Sequence, residues 1–293
     1  MLKLKFDGDC VSFNMKCDIN RNKYNLTEEF GDCIKISEIK VIKFNDKLES
    51  LPESFGNLSE LTELYLSNNN LTSLPESFGN LHNLSKLNID NNNLTSLPES
   101  FGNLKALFLI NATNNKLTTL PEWFGSLQEL KYLQVSNNEL TTLPESIGNL
   151  QELSSLHAEG NKLERLPDSF GDLRKLYHLD VANNELTTLP DSFGNLQELT
   201  KLTVSNNEIT VLPASMTNMK KLYTLNISSK FIFEPLQDTY VFNHFVVVNA
   251  IRRAFNIDEY NRLMAEKFKT NGGKKSKRSK RRFKRSKRKK IQF

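Results

Sequence analysis

Cysteine is scarce in this chain. Its 293 residues include three, Cys10, Cys17 and Cys33, all near the start. Their odd number, and a spacing unlike that of paired zinc ligands, predict reduced thiols. The first residues do not have the pattern of a secretory leader. We therefore expect an intracellular protein, either cytoplasmic or nuclear.

Long apolar runs and catalytic motifs are lacking as well. The apolar stretch that begins at Tyr240 is interrupted by polar residues such as Asn243 and Arg252 and is too short to cross a bilayer. The chain contains no phosphate-binding glycine loop, nucleophile elbow or kinase motif. We therefore expect neither a transmembrane protein nor an enzyme, with no catalytic residues and no cofactor.

What the chain has in abundance is a repeat. The dipeptide Leu-Pro occurs eight times at intervals of 23 residues, at Leu51, Leu74, Leu97, Leu120, Leu143, Leu166, Leu189 and Leu212. A period this strict predicts a solenoid of stacked units. The second half of the unit, seen in residues 61–71, reads L-x-x-L-x-L-x-x-N-x-L.

Each half of the unit predicts a local structure. The alternating leucines predict a short strand with one buried face, and the strands would form a parallel concave sheet. The proline and the acidic residue that usually follows it predict a short helical or 3-10 turn on the convex side. A buried asparagine would satisfy backbone groups where each strand ends. The repeated asparagines are Asn69, Asn92, Asn115, Asn138, Asn161, Asn184 and Asn207.

The repeat also predicts the domain boundaries. Residues 41–232 would form the array, with seven full repeats and degenerate repeats at both ends. In the first of these, Ile42 and Phe44 indicate a strand shifted by one residue. Residues 1–40 would cap the N-terminal end, and helices within 233–270 would cap the C-terminal end. Such caps are expected because the apolar core of a solenoid would otherwise be exposed to water at both ends. Residues 271–293 would be a disordered tail.

The repeat unit L-P-x-x-F-G-N-L-x-x-L-x-x-L-x-L-x-x-N-x-L resembles the 23-residue intracellular leucine-rich repeats of the Ras-group and Scribble-like type. The resemblance covers about 190 residues and implies a horseshoe-shaped α/β scaffold. It also implies that the concave face binds a small GTPase or another signalling protein, and we expect a monomer. The abundance of asparagine, lysine, isoleucine and phenylalanine is typical of AT-rich genomes such as those of amoebae or large DNA viruses.

The tail is strongly basic. Between positions 274 and 290, 13 of 17 residues are Lys or Arg, and without them the chain has 26 basic and 34 acidic residues. Such a tail could be a nuclear address, bind nucleic acid phosphates, contact an anionic surface or merely add solubility. The residues that we single out for anionic contact are Lys274, Lys275, Lys277, Arg278, Lys280, Arg281, Arg282, Lys284 and Arg285. Docking of the tail on the acidic residues at the turn starts is a further possibility.

The candidate binding residues flank the buried leucine in the middle of each strand, because successive side chains on a strand point to opposite faces. Leu109 and Tyr132 stand out as an apolar pair among mostly polar neighbours and could anchor a partner. The full set of candidate residues is Tyr65, Lys86, Leu109, Tyr132, His157, His178, Asp180 and Lys201.

Two histidines and two carboxylates fall on neighbouring predicted strands, namely His157, Glu159, His178 and Asp180. This set could hold zinc or act as an acid-base pair. Neither a cysteine nor a third histidine is near, so we expect a solvated polar patch and no metal.

Two functional hypotheses follow. In the first, the chain is a non-enzymatic scaffold that binds a protein through its concave face, and the tail is an address or tether. In the second, the tail binds nucleic acid and the repeats position it. Deletion of the tail would separate the two, because only the second requires it for the main binding activity.

Overall fold

The computed structural model describes residues 2–13, 17–19, 24–26, 33–44, 47–210 and 212–227. They belong to the first of two compact units of the chain, residues 1–250. The predicted helices within 233–270 and the basic tail at 271–293 lie outside the described residues, so both stay predictions. Within the described ranges, no helix has the length and hydropathy that crossing a membrane requires.

The described residues before position 36 form five short strands. They are β1 (Leu4–Asp7), β2 (Cys10–Phe13), β3 (Cys17–Ile19), β4 (Tyr24–Leu26) and β5 (Ile34–Lys35). Strands β1, β2 and β5 form a small antiparallel sheet, in that order. Strands β3 and β4 pair with each other, and β3 also pairs with the first strand of the main sheet. That sheet therefore begins with an antiparallel edge.

A disulfide links Cys10 to Cys33. The prediction of reduced thiols is therefore wrong for these two residues. The antiparallel pairing of β2 with β5 brings their Cα atoms to 5.5 Å, within the usual span of a disulfide. Sequence spacing did not indicate this pairing, because it depends on which N-terminal strands are neighbours. We expected an intracellular location partly because the cysteines were predicted to be reduced, and the disulfide removes that reason.

The main sheet contains nine parallel strands, one for each repeat. They are β6 (Val41–Phe44), β7 (Glu63–Tyr65), β8 (Lys86–Asn88), β9 (Leu109–Asn111), β10 (Tyr132–Gln134), β11 (Ser155–His157), β12 (His178–Asp180), β13 (Lys201–Thr203) and β14 (Thr224–Asn226). Ile42 of β6 pairs with Leu64 of β7, which confirms the predicted one-residue shift of the first strand. The solenoid fold with a parallel sheet is therefore confirmed.

Short 3-10 helices lie on the opposite side of the repeats. One precedes the array at Ile36–Glu38. The others are Glu53–Asn57, Glu76–Asn80, Glu99–Asn103, Glu122–Ser126, Glu145–Asn149, Asp168–Asp172, Asp191–Asn195 and Ala214–Asn218. Each of these eight helices begins directly after the proline of a Leu-Pro pair. The φ angle of proline is fixed at a value that suits the start of a helical turn.

The core runs between the sheet and these helices. Its outer column consists of side chains that are at most 1% exposed, namely Phe55, Phe78, Phe101, Phe124, Ile147, Phe170, Phe193 and Met216. Neighbouring rings stack, as Phe78 does on Phe101 at a centroid distance of 5.4 Å. Trp123 interrupts the stack, because its ring lies 6.0 Å from Phe101 and 4.9 Å from Phe124.

Glycine in the repeat serves close packing rather than a left-handed backbone. A Cβ atom built on Gly148 would lie 2.5 Å from the carbonyl oxygen of Ser169 in the next repeat. Gly56, Gly79 and Gly171 meet the same obstacle. The glycine therefore sets how closely successive 3-10 helices approach each other.

Four of the acidic residues that follow the prolines have a partner in the next repeat. The carboxylate of Glu53 accepts a hydrogen bond of 3.0 Å from the backbone N–H of Ser77. Glu76, Glu122 and Glu145 bond in the same way to the serine 24 residues later. These carboxylates therefore cap the following helical turn, where free N–H groups favour an anion.

Candidate functional site

The candidate site is the surface of the parallel sheet that faces away from the core. On strand β10, Leu133 is fully buried, while Tyr132 and Gln134 on either side of it are half-buried. Pairing in register places the residues that flank the central buried residue side by side on every strand from β7 to β14. The flanking residues therefore form two parallel columns, and we call the surface that they make the concave face.

The structure places all eight predicted binding residues on the concave face. The first column contains Lys86, Leu109, Tyr132, His178 and Lys201, and the second contains Tyr65, His157 and Asp180. Seven of them form three groups along the sheet, and Lys201 lies on β13 beside His178. The predicted anionic-contact residues of the tail, from Lys274 to Arg285, lie outside the described residues.

The first group lies on β7 and β8. The hydroxyl of Tyr65 donates a hydrogen bond of 2.8 Å to the Glu63 carboxylate, and the Lys86 ammonium lies 3.1 Å from the other carboxylate oxygen. Sequence reasoning selected Tyr65 and Lys86 but missed Glu63, which connects them. The signal was available, because Glu63 and Lys86 are opposite charges one repeat apart in the same column.

The second group is apolar. Leu109 and Tyr132 are direct neighbours on paired strands, and both are half-buried. Phe108 lies at the edge where β9 begins, and its ring meets that of Tyr132 edge to face at 5.4 Å. Phe108 was not predicted, although serine or threonine occupies its position in both preceding repeats. The three side chains extend the predicted pair into one apolar patch, which we call the 108–132 patch.

The third group lies on β11 and β12 and continues just past the end of β11. Pairing of these strands places His157 beside Asp180. The rings of His157 and His178 meet edge to face at 4.6 Å, and Nδ1 of His157 lies 3.8 Å from Oε2 of Glu159. The predicted grouping of these four polar side chains is therefore observed, and we call it the histidine–carboxylate cluster.

Three members of this cluster have the geometry of potential metal ligands. One ligand atom each from His157, Glu159 and Asp180 lies within 4.8 Å of the other two. Asp180 uses its Oδ1 to accept a hydrogen bond of 3.0 Å from the backbone N–H of Ala182. Oε2 of Glu159 is buried, and no hydrogen-bond donor reaches it from the described residues.

The protein environment favours the neutral form of His178. Its partial burial lowers the pKa of the imidazole, and the neighbouring His157 and Lys201 lower it further. Asp180 and Glu159 oppose this shift without cancelling it. His178 therefore remains a neutral hydrogen-bonding and nitrogen-donor group at physiological pH.

Two family models match the chain in the part that carries these groups. One is described as a leucine-rich repeat region and matches residues 122–187. The other is described as a leucine rich repeat and matches residues 41–94, 59–117 and 166–209. Together they include every strand from β6 to β13. No curated protein has significant sequence similarity to the chain.

Several solved structures resemble this one. A leucine-rich repeat protein of Leptospira interrogans is 35% identical with a TM-score of 0.63, over 66% of this chain and 50% of that one. The leucine-rich repeat ectodomain of the Arabidopsis thaliana membrane receptor kinase GASSHO1/SCHENGEN3, in complex with CASPARIAN STRIP INTEGRITY FACTOR 2, is 34% identical with a TM-score of 0.57. That match covers 67% of this chain and 25% of the receptor.

The Toll–Spätzle complex of Drosophila contains a third similar chain. It is 28% identical with a TM-score of 0.57, and the match covers 68% of this chain and 28% of that one. This chain therefore spans half or less of the length of each of these three proteins.

Proposed function

We propose a protein-binding function for this chain from one premise: it belongs to the leucine-rich repeat proteins. Its sheet offers a broad surface whose framework is fixed and whose exposed columns differ from repeat to repeat. In a repeat protein, such a surface is where binding specificity resides. We therefore propose that the chain is a binding module and not an enzyme.

The observation that carries the proposal is the 108–132 patch. Leu109 and Tyr132 lie near the middle of the sheet, on the fourth and fifth of its nine parallel strands. Phe108 packs against Tyr132 and enlarges the apolar surface. Apolar and aromatic side chains near the centre of an interface contribute most of the binding energy in protein complexes. We therefore assign the patch as the anchor for a partner.

Polar groups border the patch on both sides. Glu63, Tyr65 and Lys86 form a hydrogen-bonded group toward the N-terminal end of the sheet. The histidine–carboxylate cluster and Lys201 lie toward the other end. An apolar centre within a polar rim is the usual arrangement of a protein interface. Two of the similar structures are complexes with protein partners, which supports the same function here.

A crosslinking experiment tests the proposal. A photoreactive phenylalanine analogue replaces Tyr132 in the full chain, and proteins that it captures are identified by mass spectrometry. The affinity of the captured partner is then measured for the wild type and for Tyr132→Ala. We expect a loss of roughly thirtyfold, which is the effect of an anchor worth about 2 kcal/mol.

Tyr177→Ala provides the matched control. Tyr177 is 42% exposed and directly precedes strand β12, outside the two columns of the concave face. Its truncation removes the same side chain from another part of the surface, so the affinity should change little. Equal losses for both variants would show that the concave face is not the specific binding surface.

The basic tail supports a second proposal, binding to an anionic partner such as nucleic acid. The observation behind it is the density of 13 basic residues within positions 274–290. Binding through phosphate contacts should weaken steeply with salt and vanish when residues 271–293 are deleted. Duplex binding that survives the deletion would assign the contact to another part of the chain.

The class of protein that we propose as the partner follows from the resemblance to Ras-group repeats. We propose a small GTPase or another signalling protein as the partner class, and nuclear targeting as the function of the tail inside a cell. The Leptospira, Arabidopsis and Drosophila similarities do not favour one location over another, and the monomeric state stays a prediction. Localisation of the tagged full chain, with and without residues 271–293, tests the targeting function.

A further inference from the structure

The histidine–carboxylate cluster contains more charge than the fold requires. In the second column, Asn88 and Asn111 use their side-chain oxygen to accept the backbone N–H two residues later. Asp180 makes the same bond to Ala182 with Oδ1. An asparagine would therefore satisfy the backbone equally well. The second carboxylate oxygen of Asp180 and its negative charge have no function in the turn.

Glu159 is one of two acidic residues at its position in the array; the other, Asp90, has Asn88 where Glu159 has His157. The corresponding residues in the two preceding repeats are Thr113 and Ser136, which are shorter and uncharged. Oε2 of Glu159 is removed from water, and the described residues provide it with no hydrogen-bond donor. A buried carboxylate oxygen without a donor is costly unless a cation compensates it. Nδ1 of the His157 imidazole lies 3.8 Å from this oxygen.

These two carboxylates converge on the imidazole of His157. Strand pairing places His157 beside Asp180, and Glu159 is two residues beyond His157, so it points to the same face. One ligand atom from each residue lies within 4.8 Å of the others. Atoms that share a zinc ion lie about 2.0–2.2 Å from it, so they must approach each other somewhat further. All three side chains are partly exposed, and Glu159, whose Oε2 has no donor among the described residues, has the fewest restraints on such a movement.

We propose that His157, Glu159 and Asp180 form a binding site for a divalent transition metal, with zinc as the best match. One imidazole and two carboxylates are a ligand set that zinc accepts, and three protein ligands leave a fourth position for water or another ligand. The hydrogen bond from Ala182 orients Asp180 in the way that outer contacts orient metal ligands. The ring of His178 packs against that of His157 and restricts its rotation.

Other charged groups near the site are compatible with a cation. Lys201 pairs with His178 on the next strand, on the side away from His157, and it is exposed. The site therefore combines two negative charges with one lysine at its border. The proposal does not depend on protein binding by the 108–132 patch, which is on other strands.

Calorimetric titration with zinc chloride tests the site in the full chain. A Cys17→Ser background removes the cysteine outside the Cys10–Cys33 disulfide, so that its thiol cannot bind the metal. After removal of metals with a chelator, we expect saturable binding of one zinc per chain. Asp180→Asn keeps the oxygen that accepts the Ala182 N–H and removes only the charge. It should weaken zinc binding at least about tenfold, as should His157→Ala.

His82→Ala is the matched control, because it removes a histidine that is exposed and lies between Leu81 and the following strand β8. Its zinc affinity should equal that of the parent protein. Thermal unfolding gives a second readout, since zinc should raise the melting temperature of the parent and not that of Asp180→Asn. Zinc binding that does not saturate in excess zinc would overturn the proposal. So would a loss of zinc affinity in His82→Ala equal to that in Asp180→Asn.

Discussion

Replacement of Asn138 by alanine tests the asparagine ladder, which is the main polar feature of the core. Asn138 is 7% exposed. Its Oδ1 accepts a hydrogen bond of 2.9 Å from the backbone N–H of Leu117 in the preceding repeat. Its Nδ2 donates bonds of 3.0 Å to the carbonyl oxygens of Ala112 and Val135. A longer bond of 3.2 Å from Nδ2 reaches the carbonyl oxygen of Ser136, which also accepts the backbone N–H of Asn114. One side chain therefore connects two repeats.

The neighbouring asparagines determine which of these groups would lose its partner. The carbonyl of Ala112 also accepts a bond of 3.1 Å from Asn115, and that of Val135 accepts one of 3.0 Å from Asn161. Both carbonyls would keep one donor in the variant. The N–H of Leu117 loses its side-chain acceptor and would stay buried without it.

The free energy follows from these three contacts. An unsatisfied buried N–H costs about 1–3 kcal/mol, and each of the two lost carbonyl bonds contributes about 0.5–1.5 kcal/mol. We therefore expect Asn138→Ala to lower the free energy of unfolding by about 2–6 kcal/mol. Because each repeat contacts only its neighbours, the loss should be concentrated in the middle of the array.

Urea denaturation, followed by circular dichroism and by fluorescence of the single tryptophan, measures this change. Trp123 belongs to the same repeat as Asn138, so its fluorescence reports on the affected segment. Asn149→Ala, at an exposed asparagine, should change stability by less than about 0.5 kcal/mol. Equal stability of Asn138→Ala and the wild type would refute the reasoning that the ladder stabilises the array.

Three further predictions concern the packing, the N-terminal region and acid stability. Gly148→Ala should destabilise the chain by about 1–3 kcal/mol in urea denaturation, because the new methyl group would overlap the Ser169 carbonyl. Cys10 and Cys33 should resist alkylation in denaturant until a reductant is added, and their reduction should lower local stability by about 3 kcal/mol. The pKa of Glu122 is lowered because a serine of the next repeat donates hydrogen bonds to it. The resulting stability is present at neutral pH and is lost as the pH falls through the folded-state pKa, so the advantage over Glu122→Gln should disappear in acid.

Each of these predictions has its own control. Gly102→Ala should cost less than Gly148→Ala, because its Cβ would lie 3.2 Å from the nearest atom, a side-chain carbon of Trp123. Identical costs would contradict the packing explanation. Immediate alkylation of all three cysteines would contradict the disulfide, and an unchanged stability gap for Glu122→Gln at about pH 3 would contradict the titration argument.

The period of the sequence was sufficient to predict the framework. Strand positions, the buried asparagine and the phenylalanine column all follow from local patterns that recur every 23 residues. Even the shift of the first strand was visible at Ile42. The local period predicts the framework because each repeat contacts mainly its neighbours. Most contacts therefore join residues about one repeat apart in the sequence.

Features outside the period were harder to predict. The Cys10–Cys33 disulfide depends on antiparallel pairing of β2 with β5, which no repeat pattern encodes. Phe108 was missed because it lies at a strand edge, where alternation no longer assigns a face. The sequence was sufficient to place Glu159 near Asp180. The burial of the Glu159 Oε2 atom depends on side-chain packing.

The acidic column at the turn starts now has a structural explanation. Sequence reasoning treated it as a possible dock for the basic tail, because like charges recur every 23 residues. In the structure, Glu53, Glu76, Glu122 and Glu145 each accept a backbone N–H from the next repeat. These four acids therefore contribute to the stacking of the repeats. Because they have this function without a ligand, their recurrence alone is no argument for docking of the tail, which stays a hypothesis.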